Sequence, residues 1–262
     1  MNAARMFDMQ GRVALVTGGR GLYGAPISEG LAEAGAHVLI ASRNQAACSA
    51  FAAELVAQGL SAEGVGLDLA DDQSIQSLAA DVRQRFRAVD VLVNNAVSRE
   101  HYPAFEQMER ADMAASLDVN ILGTMALTRA LLPLMRAKGS GSIINISSIQ
   151  GVTAPHFPYY EEDQSSPVGY TLEKWGLIGF TKWLAARYGK EGIRANAISP
   201  GGYDPILQEK RPTFYGTYAQ HTPLGKWPDR DDIKGPVCFL ASDASRYVTG
   251  HNLVMDGGFT IW

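Results

Sequence analysis

The chain has 262 residues, 46% hydrophobic and 19% charged, which describes an ordinary globular protein and excludes a disordered or fibrous one. A formal charge of −4 with no basic stripe leaves nothing to neutralise a phosphodiester backbone, so no nucleic-acid partner is expected. Cys48 and Cys238, without CxxC or Cys/His ligand spacing, fit buried thiols in a reducing compartment and provide no metal site; no apolar signal core or uninterrupted apolar run of about 20 residues points to a membrane, so the expected location is cytoplasmic.

Seven short β-branched runs follow in chain order, at 12–17, 37–41, 62–67, 89–94, 142–147, 194–199 and 252–256, with amphipathic helical patterns between them. Parallel strands need crossover connections, so this rhythm predicts a doubly wound α/β fold with a seven-stranded parallel sheet. Gly35, Gly59 and Gly139 punctuate helix ends. No linker or repeat interrupts the pattern, and residues 1–262 are read as one domain. Two segments break the rhythm: 153–167, a proline-rich and acidic insertion, and 200–228, a lid-like substrate loop expected to hold one or two short helices.

The first strand ends in Val16-Thr17 and runs into Gly18-Gly19-Arg20-Gly21-Leu22-Tyr23-Gly24, then a helical pattern. Gly19, Gly21 and Gly24 form GxGxxG in the strand-to-helix context in which a backbone approaches a pyrophosphate at the positive end of a helix. A tight glycine turn without a ligand is the plainer alternative. The second strand ends in Ser42-Arg43, without the acid that commonly meets a ribose 2′-hydroxyl. Arg43, with Arg20 in the glycine loop, suits a 2′-phosphate, so NADP(H) is expected to be preferred over NAD(H).

Downstream, Ser147 and Ser148 end the fifth strand at the sheet edge where doubly wound enzymes build their sites. Tyr170 and Lys174 stand four apart in a helical segment, with Ser166 able to cap and Pro167 suited to the first helical position. A phenol titrates near 10, and an ammonium one turn away favours phenolate; a shift of about three units corresponds to roughly 4 kcal/mol. Tyr159 and Tyr160 compete for the role. Four residues beyond them lie Asp163 and Gln164, neither of which supplies an ammonium, so Tyr170 is the expected proton carrier.

Together, TGGRGLYG, Asp68-Leu69, Asn94-Asn95-Ala96, Asn120 in DVNILG, INISS, YTLEK, Ser199-Pro200-Gly201 and the terminal VMDGG resemble short-chain dehydrogenase/reductase motifs in the family's order. The resemblance implies a tetrad: Ser148 polarises the substrate oxygen, Tyr170 exchanges its proton, Lys174 tunes Tyr170 and fixes a ribose, and Asn120 holds a water relay. It also implies that Asp68 and Leu69 meet adenine, that Asn94 supports the sheet, and that Asn95, Ala96, Pro200 and Gly201 belong to the cofactor site. The implied reaction is hydride transfer between NADP(H) or NAD(H) and a secondary alcohol or ketone. Leu22, Val97 and Pro205 depart from the family pattern. Ser148 and Tyr170 are also farther apart than is usual, which an insertion before the helix explains. Family members form dimers or tetramers, and the apolar end from Phe259 to Trp262 suggests a homo-oligomeric interface there.

Gln150, His156, Tyr160 and Trp227 are candidate substrate contacts, within a wider set that includes 97–102, Tyr159 and Tyr203. Their aromatic and polar mixture suits a sugar, polyol or aldonate; Glu161-Glu162-Asp163 reads as a solvated loop. Two alternatives use the same residues: a non-catalytic NADP-binding sensor or scaffold, and a sugar-nucleotide epimerase or dehydratase, which requires a further substrate domain after the sixth strand.

Overall fold

Successive residues of a strand face opposite sides of the sheet, and a strand covered on both sides reads as one apolar run. The computed structural model, which describes residues 2–160 and 166–262, shows this in the first strand, β1 (Val13–Thr17). Ala14 and Val16 pack into one core and Leu15 into the other, all fully buried. The remaining strands are β2 (His37–Ser42), β3 (Ala62–Gly66), β4 (Val91–Asn94), β5 (Gly141–Ile146), β6 (Ile193–Pro200) and β7 (Asn252–Met255). All seven expected strands form, with ends within two residues of the expected ones.

The sheet order is β3-β2-β1-β4-β5-β6-β7, and every neighbouring pair is parallel. Helices α1 (Gly24–Glu33) and α2 (Gln45–Ala57) follow the first two strands, and α3 (Asp72–Phe86) the third. A nearly continuous run comprises α4 (Arg110–Leu117), a π-turn (Asp118–Gly123) and α5 (Thr124–Lys138). The later helices are α6 (Val168–Tyr188), α7 (Pro205–Lys210), α8 (Pro212–Gln220) and α9 (Lys234–Ala241). One face of the sheet carries α1, α2 and α9, with Ile27, Leu31, Leu55, Val237 and Leu240 in its core. The other carries α3, α5 and α6, with Ile75, Val82, Leu127, Leu131 and Leu184. Strand order reverses between β1 and β4, which opens a crevice at their carboxyl ends, the place where such sheets bind ligands.

Local chemistry explains the element ends. The Asn44 side chain accepts the Ala47 N–H at 3.0 Å to start α2, and Asp71 accepts that of Gln73 at 2.8 Å to start α3. Gly35, Gly59 and Gly139 are left-handed, as expected of helix stops. Ser166 does not cap α6: Pro167 occupies the cap position without a side-chain bond, and the Ser166 hydroxyl donates to Gln150 Oε1 at 2.5 Å instead. Among the described residues one helical run, Arg110–Lys138, is long and apolar enough to cross a membrane. Its apolar positions Leu127, Leu131 and Met135 are fully buried against the sheet, which accounts for that composition.

The 200–228 segment holds the two expected short helices, α7 and α8. Of the 153–167 segment, the described part forms a turn at Phe157–Tyr159; the acidic run Glu161-Glu162-Asp163 and Gln164 lie outside the described residues. After β6 the chain runs through α7, α8 and α9 and returns to the same sheet as β7.

Candidate active site

The glycine loop is shaped by what lies behind it. Gly18 sits at φ +59°, in the left-handed region that glycine tolerates, and a Cβ on Gly24 would come 1.9 Å from the Gly18 carbonyl oxygen. Asn95 holds the loop from β4: its Nδ2 donates to the carbonyls of Thr17 and Gly18, both at 3.0 Å. The Thr17 hydroxyl accepts the N–H groups of Asn95 and Ala96, again at 3.0 Å each. Asn95 therefore fastens two strand ends together. Tyr23, which sequence reasoning passed over, closes the other side by donating to the Gly201 carbonyl at 2.7 Å. Burial pushes its phenol well above the ordinary range, so this donor stays protonated.

Beside the loop lies a cleft of about 420 Å³ lined by Gly18, Ser42, Arg43, Asp68, Leu69 and Ala96, among others. It offers groups that could hold an adenosine ribose: a cation at the β2 end and a half-buried Asp68. Arg43 is paired with Glu100 at 3.0 Å across this cleft, which raises its pKa further, whereas Arg20 and Leu22 are exposed and do not line it. Pro200 and Gly201 are buried where β6 ends, on the far side of the Tyr23 clamp.

The candidate reacting groups collect beyond the carboxyl end of β5 and on α6. Ser148 leaves β5, is 8% exposed, and accepts the Gln150 N–H at 3.1 Å. The Ser147 hydroxyl points away from the cleft side and donates to the Lys174 carbonyl at 2.8 Å, pinning α6 to β5, so the two serines have different jobs. Lys174 is 4% exposed; its ammonium donates to the Ile146 carbonyl at 2.8 Å and lies 5.3 Å from the centre of the Tyr170 ring. Burial lowers the Lys174 pKa, and the neighbouring Tyr170 and Glu173 pull it partly back.

Ser148, Gln150, Tyr160, Tyr170 and Trp227 all border a cavity of about 280 Å³, together with Arg99 and Tyr102. Sequence reasoning placed Arg99 only within a range. The Arg99 guanidinium stands 5.8 Å from the Tyr170 ring centre, exposed at the mouth, and no carboxylate among the described residues pairs with it. Tyr160 meets Gln150 Nε2 at 3.3 Å, and burial raises its pKa, so no ammonium prepares it for proton transfer. Trp227 is a wall, stacked on Tyr215 at 3.9 Å and on Tyr218 at 4.1 Å, with its indole N–H on the Tyr215 carbonyl. His156 is not brought to this cavity. Its ring meets that of Tyr159 at a tilt, 4.0 Å between centres, and it borders a separate pocket of about 30 Å³ shared with Tyr160.

The most consequential residue missed in the sequence is Glu173. It is 1% exposed, and its oxygens accept from the Tyr102 hydroxyl, the Ser116 hydroxyl and, at 2.9 Å, Asn120 Nδ2. Asn120, in the π-turn, also exchanges bonds with the Ser98 backbone: its Oδ1 accepts the N–H at 2.7 Å and its Nδ2 donates to the carbonyl at 2.9 Å.

A family model described as enoyl-(acyl carrier protein) reductase matches residues 21–260. D-threitol dehydrogenase of Mycolicibacterium smegmatis is 34% identical, over 97% of this chain and 95% of its own. Gluconate 5-dehydrogenase of Gluconobacter oxydans is 28% identical, over 100% of this chain and 99% of its own. A crystal structure of a gluconate 5-dehydrogenase from Burkholderia cenocepacia in complex with NADP and tartrate matches with a TM-score of 0.89 at 32% identity, covering 100% of both chains.

Proposed function

The chain belongs to the short-chain dehydrogenase/reductase family, and from that premise we propose that it oxidises a secondary hydroxyl of a small polyhydroxy carboxylate, with NADP as the favoured cofactor. It is an NAD(P)-dependent oxidoreductase acting between a secondary alcohol and its ketone. The observation that carries the finer reading is Arg99, an exposed guanidinium with no carboxylate partner among the described residues, beside Tyr170 at an aromatic cavity. A guanidinium fork grips a carboxylate in two places, and hydroxyls find Ser148, Gln150 and Tyr160 nearby. The gluconate dehydrogenases among the relatives, one holding tartrate, support the same substrate class.

In this mechanism Ser148 donates a hydrogen bond to the reacting oxygen, and the Tyr170 oxygen takes the hydroxyl proton. Lys174, held by the Ile146 carbonyl, stabilises the phenolate. The glycine loop, Arg43, Asp68 and Lys174 would hold the nucleotide, whose nicotinamide supplies the hydride acceptor when bound. Helices α7 and α8 act as a lid that positions the Trp227 wall.

The same reading makes the protein a homo-oligomer. A groove of about 870 Å³ runs along α5 and α6, and Leu122, Met125 and Trp183 are exposed there by 42–57%, apolar side chains that a second copy would cover. Trp262 at the C-terminus is 78% exposed and marks a second contact.

The test is a panel of D-gluconate, tartrate, D-threitol and cyclohexanol with NADP or NAD, read at the reduced-nicotinamide absorbance. Carboxylates should be turned over with the highest kcat/KM, and Arg99→Ala should raise KM for them at least tenfold while leaving D-threitol little changed. No carboxylate preference, or none lost in Arg99→Ala, overturns the reading. Light scattering of the native protein and of Trp183→Glu tests assembly: a native monomer refutes it.

A further inference from the structure

Glu173 sits between Tyr170 and Lys174 in sequence and is buried, yet the hydride and proton transfers make no use of it. Burying a carboxyl group away from water is costly unless its acceptors are satisfied. This one is served entirely by donors: the hydroxyls of Tyr102 and Ser116 and the amide of Asn120.

Those contacts determine how two site residues face the reacting groups. Asn120 Nδ2 has only two hydrogens and four acceptors within reach, of which the Ser98 carbonyl and Glu173 are nearest, both at 2.9 Å. With a carboxylate on that side, the amide can present only its nitrogen there, so Oδ1 is turned to the Ser98 N–H at 2.7 Å. Glu173 and the Ser98 backbone together hold Asn120 in one of its two amide orientations. Tyr102 is fixed in the same way. Its phenol donates to Glu173, and its ring meets the Tyr170 ring edge-on, 6.1 Å between centres at 82°. Burial and the Glu173 bond both push the Tyr102 pKa up, so Tyr102 remains a donor and does not compete with Tyr170 for the proton.

We propose that Glu173 is a positioning residue for proton transfer: through Asn120 it orients the π-turn side of the site, and through Tyr102 it sets the wall against which Tyr170 works. The proposal rests on the reading of Tyr170 as the proton carrier, so Tyr170→Phe is run beside each variant with the fastest substrate of the panel.

Glu173→Gln keeps the shape but turns an amide N–H₂ toward donors. It should lower kcat about tenfold, and Glu173→Ala about 100-fold, the scale expected for misplacing reacting groups by about 1 Å. KM and NADPH affinity should stay within threefold. Ser116→Ala, which removes one donor away from the cavity, should lower kcat severalfold without moving KM. A crystal structure of Glu173→Gln provides a readout that needs no substrate: Asn120 should shift from its contact with residue 173 and the Tyr102 ring should leave its edge contact with Tyr170.

Unchanged kcat in Glu173→Gln and Ser116→Ala overturns the proposal. So do unchanged Asn120 and Tyr102 positions, or kcat, NADPH affinity and Tm falling together, which would make Glu173 a scaffold residue. If Tyr170→Phe retains wild-type kcat, it is the Tyr170 assignment that fails, and the crystal structure still decides the Glu173 contacts.

Discussion

Gly24→Ala is the sharpest test of how the nucleotide loop is built. The added methyl would lie 1.9 Å from the Gly18 carbonyl oxygen and 2.9 Å from Asn95 Nδ2. Carbon contacts settle near 3.5 Å, so the loop must move by about 1.5 Å. Gly18 cannot yield cheaply, because its carbonyl accepts from the Gly21 N–H at 2.9 Å and from Asn95 at 3.0 Å, while its own N–H donates to Ala41 at 2.8 Å. Three hydrogen bonds at about 1 kcal/mol each put roughly 3 kcal/mol at stake. In a chain of this size that is a Tm drop of about 6–12 °C. The same displacement moves the start of α1 away from a bound pyrophosphate; losing one charge-assisted bond there weakens NADPH binding by about 10- to 100-fold. Gly59→Ala is the control: at φ +82° it is strained, but nothing lies within 4 Å, so it should cost stability and leave NADPH affinity alone. Thermal unfolding and NADPH fluorescence titration decide it. A Gly24→Ala protein with Tm within about 2 °C of native and affinity within about twofold would refute this account of the loop.

Tyr170→Phe should lower kcat about 1000-fold with NADPH affinity nearly intact, whereas Tyr160→Phe should mainly change KM; the reverse pattern would move the proton carrier to Tyr160. Arg43→Asp should shift binding toward NAD(H), and Glu100→Gln, which frees Arg43 from its 3.0 Å partner, should tighten NADPH; equal or better NAD(H) binding by the native protein refutes the assignment. Burial pushes the Cys238 thiol up to about 11, so it should resist a disulfide reagent at neutral pH in the folded state. The unfolded thiol loses its proton first, so this contribution to stability is intact below the ordinary thiol range and is lost as pH climbs to about 11. Urea unfolding at pH 8 and near pH 11 should therefore show a smaller alkaline loss for Cys238→Ala than for the native protein; an equal loss refutes it.

The sheet was legible because its strands are covered on both faces. Runs such as Val13–Thr17 and Gly141–Ile146 carry side chains for two cores at once, so their apolar character is continuous and their bounds are sharp. The glycine loop was legible for a related reason: a Cβ at Gly24 has nowhere to go, and so the spacing is a backbone requirement that any reader of the sequence can see. The start of α6 was less so. Ser166-Pro167 looks like a cap followed by a first helical residue, but Gln150, 16 positions earlier, takes the serine hydroxyl, and local propensity gives way to that long-range bond. Trp227 likewise reads as a loop aromatic facing substrate. Its place between Tyr215 and Tyr218 depends on α8 folding back, which no local pattern announces.

Glu173 shows where the limit lies for the site itself. A glutamate beside a lysine on a helix ordinarily belongs to a solvated face, and hydrophobicity alone puts it there. Position in the helix argues otherwise. Gly169, Glu173, Leu177, Thr181 and Leu184 recur at spacings of three and four and are all buried, so Glu173 is in phase with the stripe that packs inward. A charged residue on that stripe must bring its donors with it, and Tyr102, on one side, and Ser116 with Asn120, in the run from α4 into the π-turn, come from two separate segments that only the fold assembles. The phase was therefore available in the sequence and the partners were not. That is why Tyr170 and Lys174, four apart in one helical segment, could be singled out from the sequence, and the glutamate between them could not.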